Sequence, residues 1–440
     1  MKKNFHSAKS TFITGTLLLT IAGVFTRIIG FFYRIFLSRM IGAEGIGIYQ
    51  LISPVMALGF ALTAAGIQTS ISKFVSTEIG KRNPAGARMY LSIGLVISLF
   101  LSTISSFAIY FNAHFIANTW LGDTRCTPLL KVLSLSFVPS CIHSCINGYY
   151  YGLKKTAIPS ICQLVEQVAR VGSVYLMYQI TMSQGRELSL TMTIWGIVLG
   201  EVASTLVSVS AIGIQKHAGN IGVYARNLVS MAIPLTANRV VLNLFASFEN
   251  VMIPNRLKVF GYTNSEALSV YGILTGMSMA VIMFPSVVTN SISVLLLPTI
   301  SEAQSTGNKA LIDRTIKKTI ESCLLLGFLC TAGFFLTGNW IGNRLFSNAL
   351  SGTFIVTLGW ICPFLYLSST LSSILHGLGF PSITFCLNLL ACFIRICFVM
   401  FLLPEYGIKS YLWGILLSQI TVAILAIFIL YGKAKNYDSE

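Results

Sequence analysis

The sequence predicts an all-α integral membrane protein of about twelve transmembrane helices, and three observations lead to that fold class. Of 440 residues, 54% are hydrophobic and only 10% are charged. Soluble domains usually carry about a quarter charged residues, so this chain could not cover its surface with water-facing side chains. Apolar stretches long enough to cross about 30 Å of hydrocarbon recur with short polar breaks. The third observation is that the two halves of the chain resemble each other.

The apolar stretches define the predicted helices, numbered 1 to 12 in chain order. The first six are Thr11–Phe36, Gly47–Ser70, Met89–Phe111, Val132–Tyr151, Ala157–Ile180 and Leu190–Ile214. The second six are Asn227–Asn250, Leu268–Pro298, Ser322–Trp340, Ser351–His376, Ser382–Leu403 and Tyr411–Leu430. The first run continues to Phe36 with no small-residue cleavage site, so it is predicted to be a retained helix and not a signal peptide.

Matching motifs about half a chain apart predict an internal repeat. The matched pairs have offsets of 218 to 224 residues and are Glu44–Tyr49 with Glu266–Tyr271, Pro159–Ile161 with Pro381–Ile383, Trp195–Ile197 with Trp413–Ile415, and Pro139 with Pro363. Six helices is an even number, so both repeats enter the membrane from the same side, as parallel repeats do. The predicted domains are two six-helix bundles, 1–218 and 219–440, which would give alternating access by rocking about a central cavity.

The positions of lysine and arginine predict that both termini lie in the cytoplasm. In that orientation seventeen of them fall in inner segments and eight in outer loops. The net charge of +16 therefore indicates membrane orientation, and not nucleic-acid binding, because no basic patch is interleaved with aromatic residues on a water-facing element. Ten scattered cysteines without metal-ligand spacing predict neither a metal site nor a cofactor.

Arginines within the predicted spans are the strongest candidates for substrate binding. Ionisable residues at bilayer depth are costly and normally face a cavity or a partner. Arg27 and Arg34 are seven residues apart in predicted helix 1, which places them on one face about 10 Å apart, a spacing suited to an extended anion. Arg34 could instead reach outward to the membrane surface. Arg239 in predicted helix 7 is the nearest counterpart of Arg27, so the two are expected to face each other across the cavity.

A second group of charged residues in the spans could take part in coupling or gating, and consists of Glu166, Arg170, Glu201, Glu249 and Arg395. Glu166 and Arg170 are four apart in predicted helix 5 and are expected to pair. Arg395 has no acid on its own helix. Glu201 and Glu249 could bind a proton or a cation, or could neutralise an arginine, and nothing in the sequence selects H⁺ over Na⁺. His143 is expected to be a packing or hydrogen-bonded residue.

The segment from Phe25 to Tyr49 carries a family resemblance. Phe25-Thr-Arg-Ile-Ile-Gly-Phe-Phe-Tyr-Arg34, followed by Arg39-Met-Ile-Gly-Ala-Glu-Gly-Ile-Gly-Ile-Tyr49, resembles the start of polysaccharide and lipid-linked oligosaccharide flippases. The resemblance is strongest to the branch that contains stage V sporulation protein B and more distant to the lipid II flippases. The wider multidrug/oligosaccharidyl-lipid/polysaccharide exporter superfamily includes the multidrug and toxin extrusion (MATE) antiporters. The resemblance therefore implies a MATE-like pair of bundles in which Arg27 and Arg34 contact a pyrophosphate–sugar head group.

The function expected from these features is a flippase or exporter of an anionic, polyprenyl-pyrophosphate-linked saccharide in the bacterial plasma membrane. Such a saccharide would be a precursor of the cell wall, the spore cortex or a polysaccharide. Lipid II is not specifically indicated, because Val55–Leu58 lacks the arginine that lipid II flippases carry after the proline of helix 2. The alternative is a cation-coupled multidrug antiporter of the same fold, which would be expected to place acids in its cavity. An enzyme is not expected, because the loops are short and contain few aspartates and histidines.

Overall fold

The computed structural model describes residues 2–186, 189–212, 221–305 and 309–436, without the side chains of residues 2–17, 294, 295, 297, 298, 301, 302, 305 and 433–436. These residues form helices joined by short turns, and none of the described residues is in a β-strand. The first ten helices are α1 (Lys2–Leu51), α2 (Ser53–Phe60), α3 (Gly66–Gly80), α4 (Pro84–Phe111), α5 (Ala113–Phe115), α6 (Cys126–Ser134), α7 (Phe137–Gly152), α8 (Ala157–Ser183), α9 (Thr191–Ser210) and α10 (Ile221–Phe260).

The remaining nine described helices are also joined by short connections. They are α11 (Asn264–Gly272), α12 (Met279–Met283), α13 (Ser286–Ser305), α14 (Lys309–Leu345), α15 (Ala349–Leu358), α16 (Cys362–Gly377), α17 (Pro381–Cys397), α18 (Leu403–Tyr406) and α19 (Ile408–Asn436). Several neighbouring helices are continued by short π-helical turns at Ala61–Ala65, Ile116–Leu121, Ile273–Ser278 and Phe398–Leu402 and by a 3₁₀ turn at Gly359–Ile361.

The described helices allow a partial comparison with the predicted twelve membrane spans. Within the described residues nine helical segments are long and apolar enough to cross a membrane, or ten if α6 and α7, bent by 44° at their break, form one span. Predicted helix 2 and the part of predicted helix 1 from Leu18 onward lie in one segment of 63 residues, Leu18–Gly80. Its helical path of about 95 Å is about three times one bilayer thickness. The more polar α8, which is predicted helix 5, is not among the nine. The fold class is confirmed, whereas the count of twelve stays a prediction.

Predicted helix 8 needs a correction, and the end of predicted helix 6 lies outside the described residues. Predicted helix 8 is not one helix, because α12 ends at Met283 and α13 begins at Ser286, after Pro285, which cannot donate a backbone hydrogen bond. Ile214 at the end of predicted helix 6 lies outside the described residues. The same holds for Lys216 and for the side chains of Lys2, Lys3, Lys9, Lys433 and Lys435, which contribute to the predicted orientation. The orientation itself stays a prediction.

The chain divides into two compact units whose limits differ from the predicted bundles. Unit 1 comprises the residues up to Tyr33 and Leu51–Ser247, and unit 2 comprises Arg34–Gln50 and the residues from Phe248 onward. The end of α1 therefore groups with the second half of the chain, and the beginning of α10 groups with the first half. The division at residue 218 is a prediction about the repeat and does not coincide with these units.

Unit 1 is built on a core between α3, α4, α7 and α10. Ile71, Val75, Cys145 and Leu228 are fully buried there. Gly66 lets α3 and α10 approach closely, since a Cβ at this position would lie within 2.8 Å of the Ala232 carbonyl oxygen. This contact explains why the beginning of α10 belongs to unit 1.

Unit 2 has its own core and its own close helix contact. Fully buried Ile300, Leu371 and Ile374 join α13 and α16. Gly47 packs directly against the backbone of Leu268, and a Cβ at Gly47 would overlap the Leu268 carbonyl oxygen. Gly47 and Leu268 belong to the repeated motifs Glu44–Tyr49 and Glu266–Tyr271, so these two motifs pack against each other within one unit.

Candidate functional site

The arginines predicted to bind the substrate have exposed side chains. Arg27 lies in the part of α1 that belongs to unit 1, and Arg34 lies in the part that belongs to unit 2. Both residues are exposed, as is Arg239 on α10. None of the three residues therefore belongs to the buried core of its own unit.

The position of Arg239 follows from the packing of α10 on α3. The Thr236 side chain meets Gly66, and one turn further along α10 the Arg239 Nη2 donates a hydrogen bond to Thr69 Oγ1 at 3.3 Å. Arg27 and Arg239 are thus both in unit 1. That they face each other across a cavity stays a prediction.

A buried charged cluster lies between α7, α8 and α9 of unit 1. The His143 Nε2 and Glu201 Oε2 atoms are 2.6 Å apart, with both side chains about nine-tenths buried. Glu166 and Arg170 form an ion pair one helical turn apart on α8, so their predicted pairing is confirmed. One ligand-type atom each of His143, Glu166 and Glu201 lies within 4.8 Å of the others. The structure therefore brings three of the predicted coupling residues together, and adds His143.

Small residues and one hydroxyl set the geometry of this cluster. Gly200 lets α9 approach α8, because a Cβ there would lie 2.8 Å from the Glu166 carbonyl oxygen and 3.2 Å from the Arg170 Cβ. Gly196 lies four residues earlier and makes the same kind of contact, which is the spacing of closely packed membrane helices. Thr205 Oγ1 donates to the carbonyl oxygens of Pro139 and Glu201, which ties α9 to α7 one turn from His143.

A second buried cluster lies in unit 2. Glu249 on α10 is 4% exposed and its Oε1 accepts hydrogen bonds from Arg395 Nε of α17 and from Tyr411 of α19, each at 2.7 Å. Arg395, which has no acid on its own helix, thus finds one on another helix. Tyr411 had no signal in the sequence beyond its place at the start of predicted helix 12.

The two clusters differ in charge. In unit 2, Glu249 and Arg395 form a neutral pair. In unit 1, Arg170 pairs with Glu166 and His143 pairs with Glu201, so with both carboxyls ionised and His143 neutral the cluster has one negative charge in excess. A proton or a monovalent cation would balance that charge.

A cationic cavity of about 630 Å³ lies in unit 2 at the end of α14. Arg39 and Arg344 line it together with Ser38, Asn343, Ser347 and Asn348. The Arg39 guanidinium donates to the carbonyl oxygens of Arg344 at 2.8 Å and of Leu345 at 3.0 Å. Arg39 thus caps the last turn of α14, where the carbonyl groups have no partner within the helix.

The fold is shared with solved transporters. An inward-facing multidrug resistance MATE family transporter of the MOP superfamily superimposes with a TM-score of 0.74 over 97% of this chain and 99% of that chain, at 12% identity. A MOP superfamily transporter from Pyrococcus furiosus, described as having a binding pocket of reverse polarity, gives 0.72 over 98% and 96%, at 13% identity. The apolar helices and this fold define a multi-pass membrane protein of the MATE-like class.

The family follows from the sequence comparison. The profile of the polysaccharide biosynthesis protein family matches residues 12–304, and the chain belongs to this family. It is 28% identical to stage V sporulation protein B of Bacillus subtilis, over 95% of this chain and 83% of that protein. It is 24% identical to the lipid II flippase MurJ of Bacillus subtilis, over 72% of this chain and 62% of that protein. The predicted family resemblance is confirmed.

Proposed function

We propose that this protein is a flippase that moves an anionic lipid-linked saccharide across the bacterial plasma membrane by alternating access. In this proposal Arg27, Arg34 and Arg239 contact the pyrophosphate–sugar head group, and the lipid tail stays in the bilayer. Both termini are cytoplasmic. The name of one similar protein, a lipid II flippase, and the description of the matching family, polysaccharide biosynthesis protein, support this substrate class.

The observation that carries the proposal is that the span arginines are of two kinds. Arg170 and Arg395 are mostly buried and each is bonded to a glutamate of its own unit. Arg27, Arg34 and Arg239 are exposed although they lie in apolar helices. Because a guanidinium in contact with lipid tails is costly, an exposed arginine in an apolar helix normally faces a cavity or a partner. A pyrophosphate, which a guanidinium binds through two parallel hydrogen bonds, would be such a partner.

The placement of the acids argues against the alternative, a multidrug antiporter for cationic compounds. The three glutamates of the predicted spans are all engaged: Glu166 by Arg170, Glu201 by His143 and Glu249 by Arg395. Glu201 and Glu249 are also buried. A cationic drug would thus find exposed arginines and not exposed carboxylates among these span residues.

A transport assay with matched variants tests the proposal. The purified protein is reconstituted into vesicles that carry a fluorescent polyprenyl-pyrophosphate-linked saccharide, and its movement between leaflets is measured. We expect Arg27→Ala and Arg239→Ala to lose about 10- to 150-fold in apparent affinity, which corresponds to about 1.5–3 kcal/mol for one charge-assisted contact. Arg27→Lys keeps the charge but not the paired hydrogen bonds and should be intermediate.

Arg186→Ala is the matched control, because it removes one exposed arginine between α8 and α9, outside the spans. It should transport like the wild type. If Arg27→Ala and Arg239→Ala also transported like the wild type, and the protein instead moved a cationic dye, the antiporter would be the correct function.

A further inference from the structure

We propose that His143, Glu201 and Glu166 form a proton-binding centre that couples transport to the proton gradient, with His143 as the group that takes up the proton. The inference rests on the proposed function, because it names the coupling ion of that transport. It is carried by the geometry of the cluster, by its charge and by a comparison with the equivalent position in the second repeat.

The hydrogen bonds around His143 define where the proton enters. In the neutral ring Nε2–H donates to Glu201 Oε2 at 2.6 Å, which leaves Nδ1 as an acceptor. The Asn147 Nδ2 atom lies 3.4 Å from that Nδ1 and donates to it. A proton from water that binds Nδ1 produces an imidazolium, in which both ring nitrogens are donors and the positive charge lies beside the Glu201 carboxylate.

The Asn147 side chain can form a hydrogen bond with His143 Nδ1 in both protonation states of the imidazole. The residue is 8% exposed, and its Oδ1 has no hydrogen-bond partner among the described residues. The two ends of an amide are nearly equal in shape, so a half-turn of the Asn147 side chain would present Oδ1 to a protonated Nδ1. The unsatisfied oxygen of the neutral state would thereby gain its hydrogen bond when the proton is bound.

The charges that face His143 make an added proton favourable. When the Glu201 carboxyl on α9 and the Glu166 carboxyl on α8 are both ionised, Arg170 balances only one of the two negative charges. The thiol of Cys162 also neighbours Glu166. The helices α3 and α4, which pack on other faces of α7, contribute the uncharged Gln68, Ser98 and Ser102 at these contacts. The cluster becomes neutral when one proton is bound.

In the second repeat, the contact equivalent to that between His143 and Glu201 is made by uncharged residues. When Trp195 is aligned with Trp413, Glu201 corresponds to Gln419. When Pro139 is aligned with Pro363, His143 corresponds to the residue before Ser368. Ser368 Oγ donates to Gln419 Oε1 at 2.7 Å. The same helix contact is thus made in unit 2 by two groups that do not titrate, so packing alone does not require a histidine and a glutamate in unit 1.

The distances favour a proton over a metal ion. Two ligand atoms that bind one zinc ion at about 2.0–2.2 Å in tetrahedral geometry lie more than about 3 Å apart. The His143 and Glu201 atoms are 2.6 Å apart, which is a hydrogen-bond distance. The Arg170 guanidinium also occupies Glu166 and would repel a cation. Glu166 and Arg170 keep 17% and 15% of their side-chain surface exposed, so the cluster is not fully enclosed by unit 1.

The test measures protonation without any substrate. The five histidines of the purified protein are labelled with ¹³C in the ring, and their NMR signals are followed with pH in lipid nanodiscs. The signal that is lost in His143→Gln should titrate, and its midpoint should move to lower pH in Glu201→Gln, where the carboxylate that stabilises the imidazolium is gone. Should His143→Gln not fold, Asn147→Asp, which adds a carboxylate beside Nδ1, should move the midpoint of the same signal to higher pH. A His143 signal that does not change with pH would overturn the proposal.

A second measurement connects the proton to transport. In vesicles with an imposed pH gradient, His143→Gln should lose the stimulation by the gradient, and the same substitution at exposed His376 should retain it. Gradient-stimulated transport by His143→Gln, or stimulation by a sodium gradient alone, would overturn the coupling role. If His143 titrates as expected but no lipid-linked saccharide is moved under any condition, the proposed function fails and the proton-binding centre stands.

Discussion

The ion pair between Glu249 and Arg395 permits a quantitative test of the division between structural and substrate-binding arginines. Arg395→Met keeps much of the side-chain volume but removes the cation that lies 2.7 Å from Glu249 Oε1. Glu249 has only 6% of its side-chain surface exposed, so solvent cannot replace the lost partner. The Tyr411 hydroxyl would remain as a donor to the same oxygen.

The expected loss is large because a buried charge loses its counter-charge. Breaking a buried pair by removing one partner costs about 3–5 kcal/mol, which lowers the ratio of folded to unfolded protein by between about one hundredfold and a few thousandfold. The double variant Arg395→Met/Glu249→Gln removes both charges and should recover most of that loss. By contrast Arg27→Met, at an exposed position, should leave stability near that of the wild type while transport falls.

The assay is reversible unfolding of the detergent-solubilised protein by increasing denaturant. The wild type, the single variants Arg395→Met and Glu249→Gln, the double variant and Arg27→Met are compared at equal concentration. The double-mutant cycle isolates the interaction between Glu249 and Arg395. The reasoning would be refuted if Arg395→Met were as stable as the wild type. It would also be refuted if the double variant lost as much stability as the two single variants together.

Three further outcomes follow from the packing and the orientation. Gly47→Ala should destabilise unit 2 by about 1–3 kcal/mol, because its Cβ would overlap the Leu268 carbonyl oxygen; unchanged unfolding would contradict that close contact. Thr205→Val should cost about 1 kcal/mol in the same unfolding assay, through loss of the hydrogen bonds to α7 and α9, and no loss would show that they do not tie the helices. In a Cys386→Ser background, a cysteine at Arg256 should react with a membrane-impermeant thiol reagent in intact cells and one at Lys317 should not; the reverse result would invert the orientation.

Much of the fold could be predicted because hydropathy and repetition act locally along the chain. The described residues of the predicted spans are largely helical, and the matched motifs lie near the starts of α8 and α17 and near the starts of α9 and α19. Hydropathy could not set the number of spans, because α1 continues past a non-helical residue, Gly42, without a polar break. It also could not show that α10 begins in one unit and ends in the other, since that depends on the close contact at Gly66.

The site was predictable to the extent that its contacts are local. Glu166 and Arg170 are four residues apart, and helical spacing alone indicates their pairing. The partners of Arg395 and of His143 lie 146 and 58 residues away, so only the packing of helices selects them. The repeat also contains a signal for Glu201. When the matched tryptophans are aligned, Glu201 corresponds to Gln419, so the carboxylate of unit 1 departs from the amide at the equivalent position of unit 2.

That departure leads to a final prediction, the reverse exchange Gln419→Glu. The new carboxyl would face Ser368, whose hydroxyl can donate to it, with no histidine at the equivalent of His143. At low pH a neutral carboxyl resembles the Gln419 amide in shape, so the variant should be about as stable as the wild type. As the pH rises, ionisation of a partly buried carboxyl is opposed by its surroundings, so stability should fall relative to the wild type.

Glu201→Gln should do the opposite and make unfolding less dependent on pH, because it removes the excess charge of unit 1. Unfolding measured at several pH values distinguishes the two variants. The stability of Gln419→Glu could instead depend on pH no more than that of the wild type. In that case the surroundings of positions 201 and 419 would not control ionisation. The contrast between a titratable group in one repeat and a neutral group in the other would then have no physical basis.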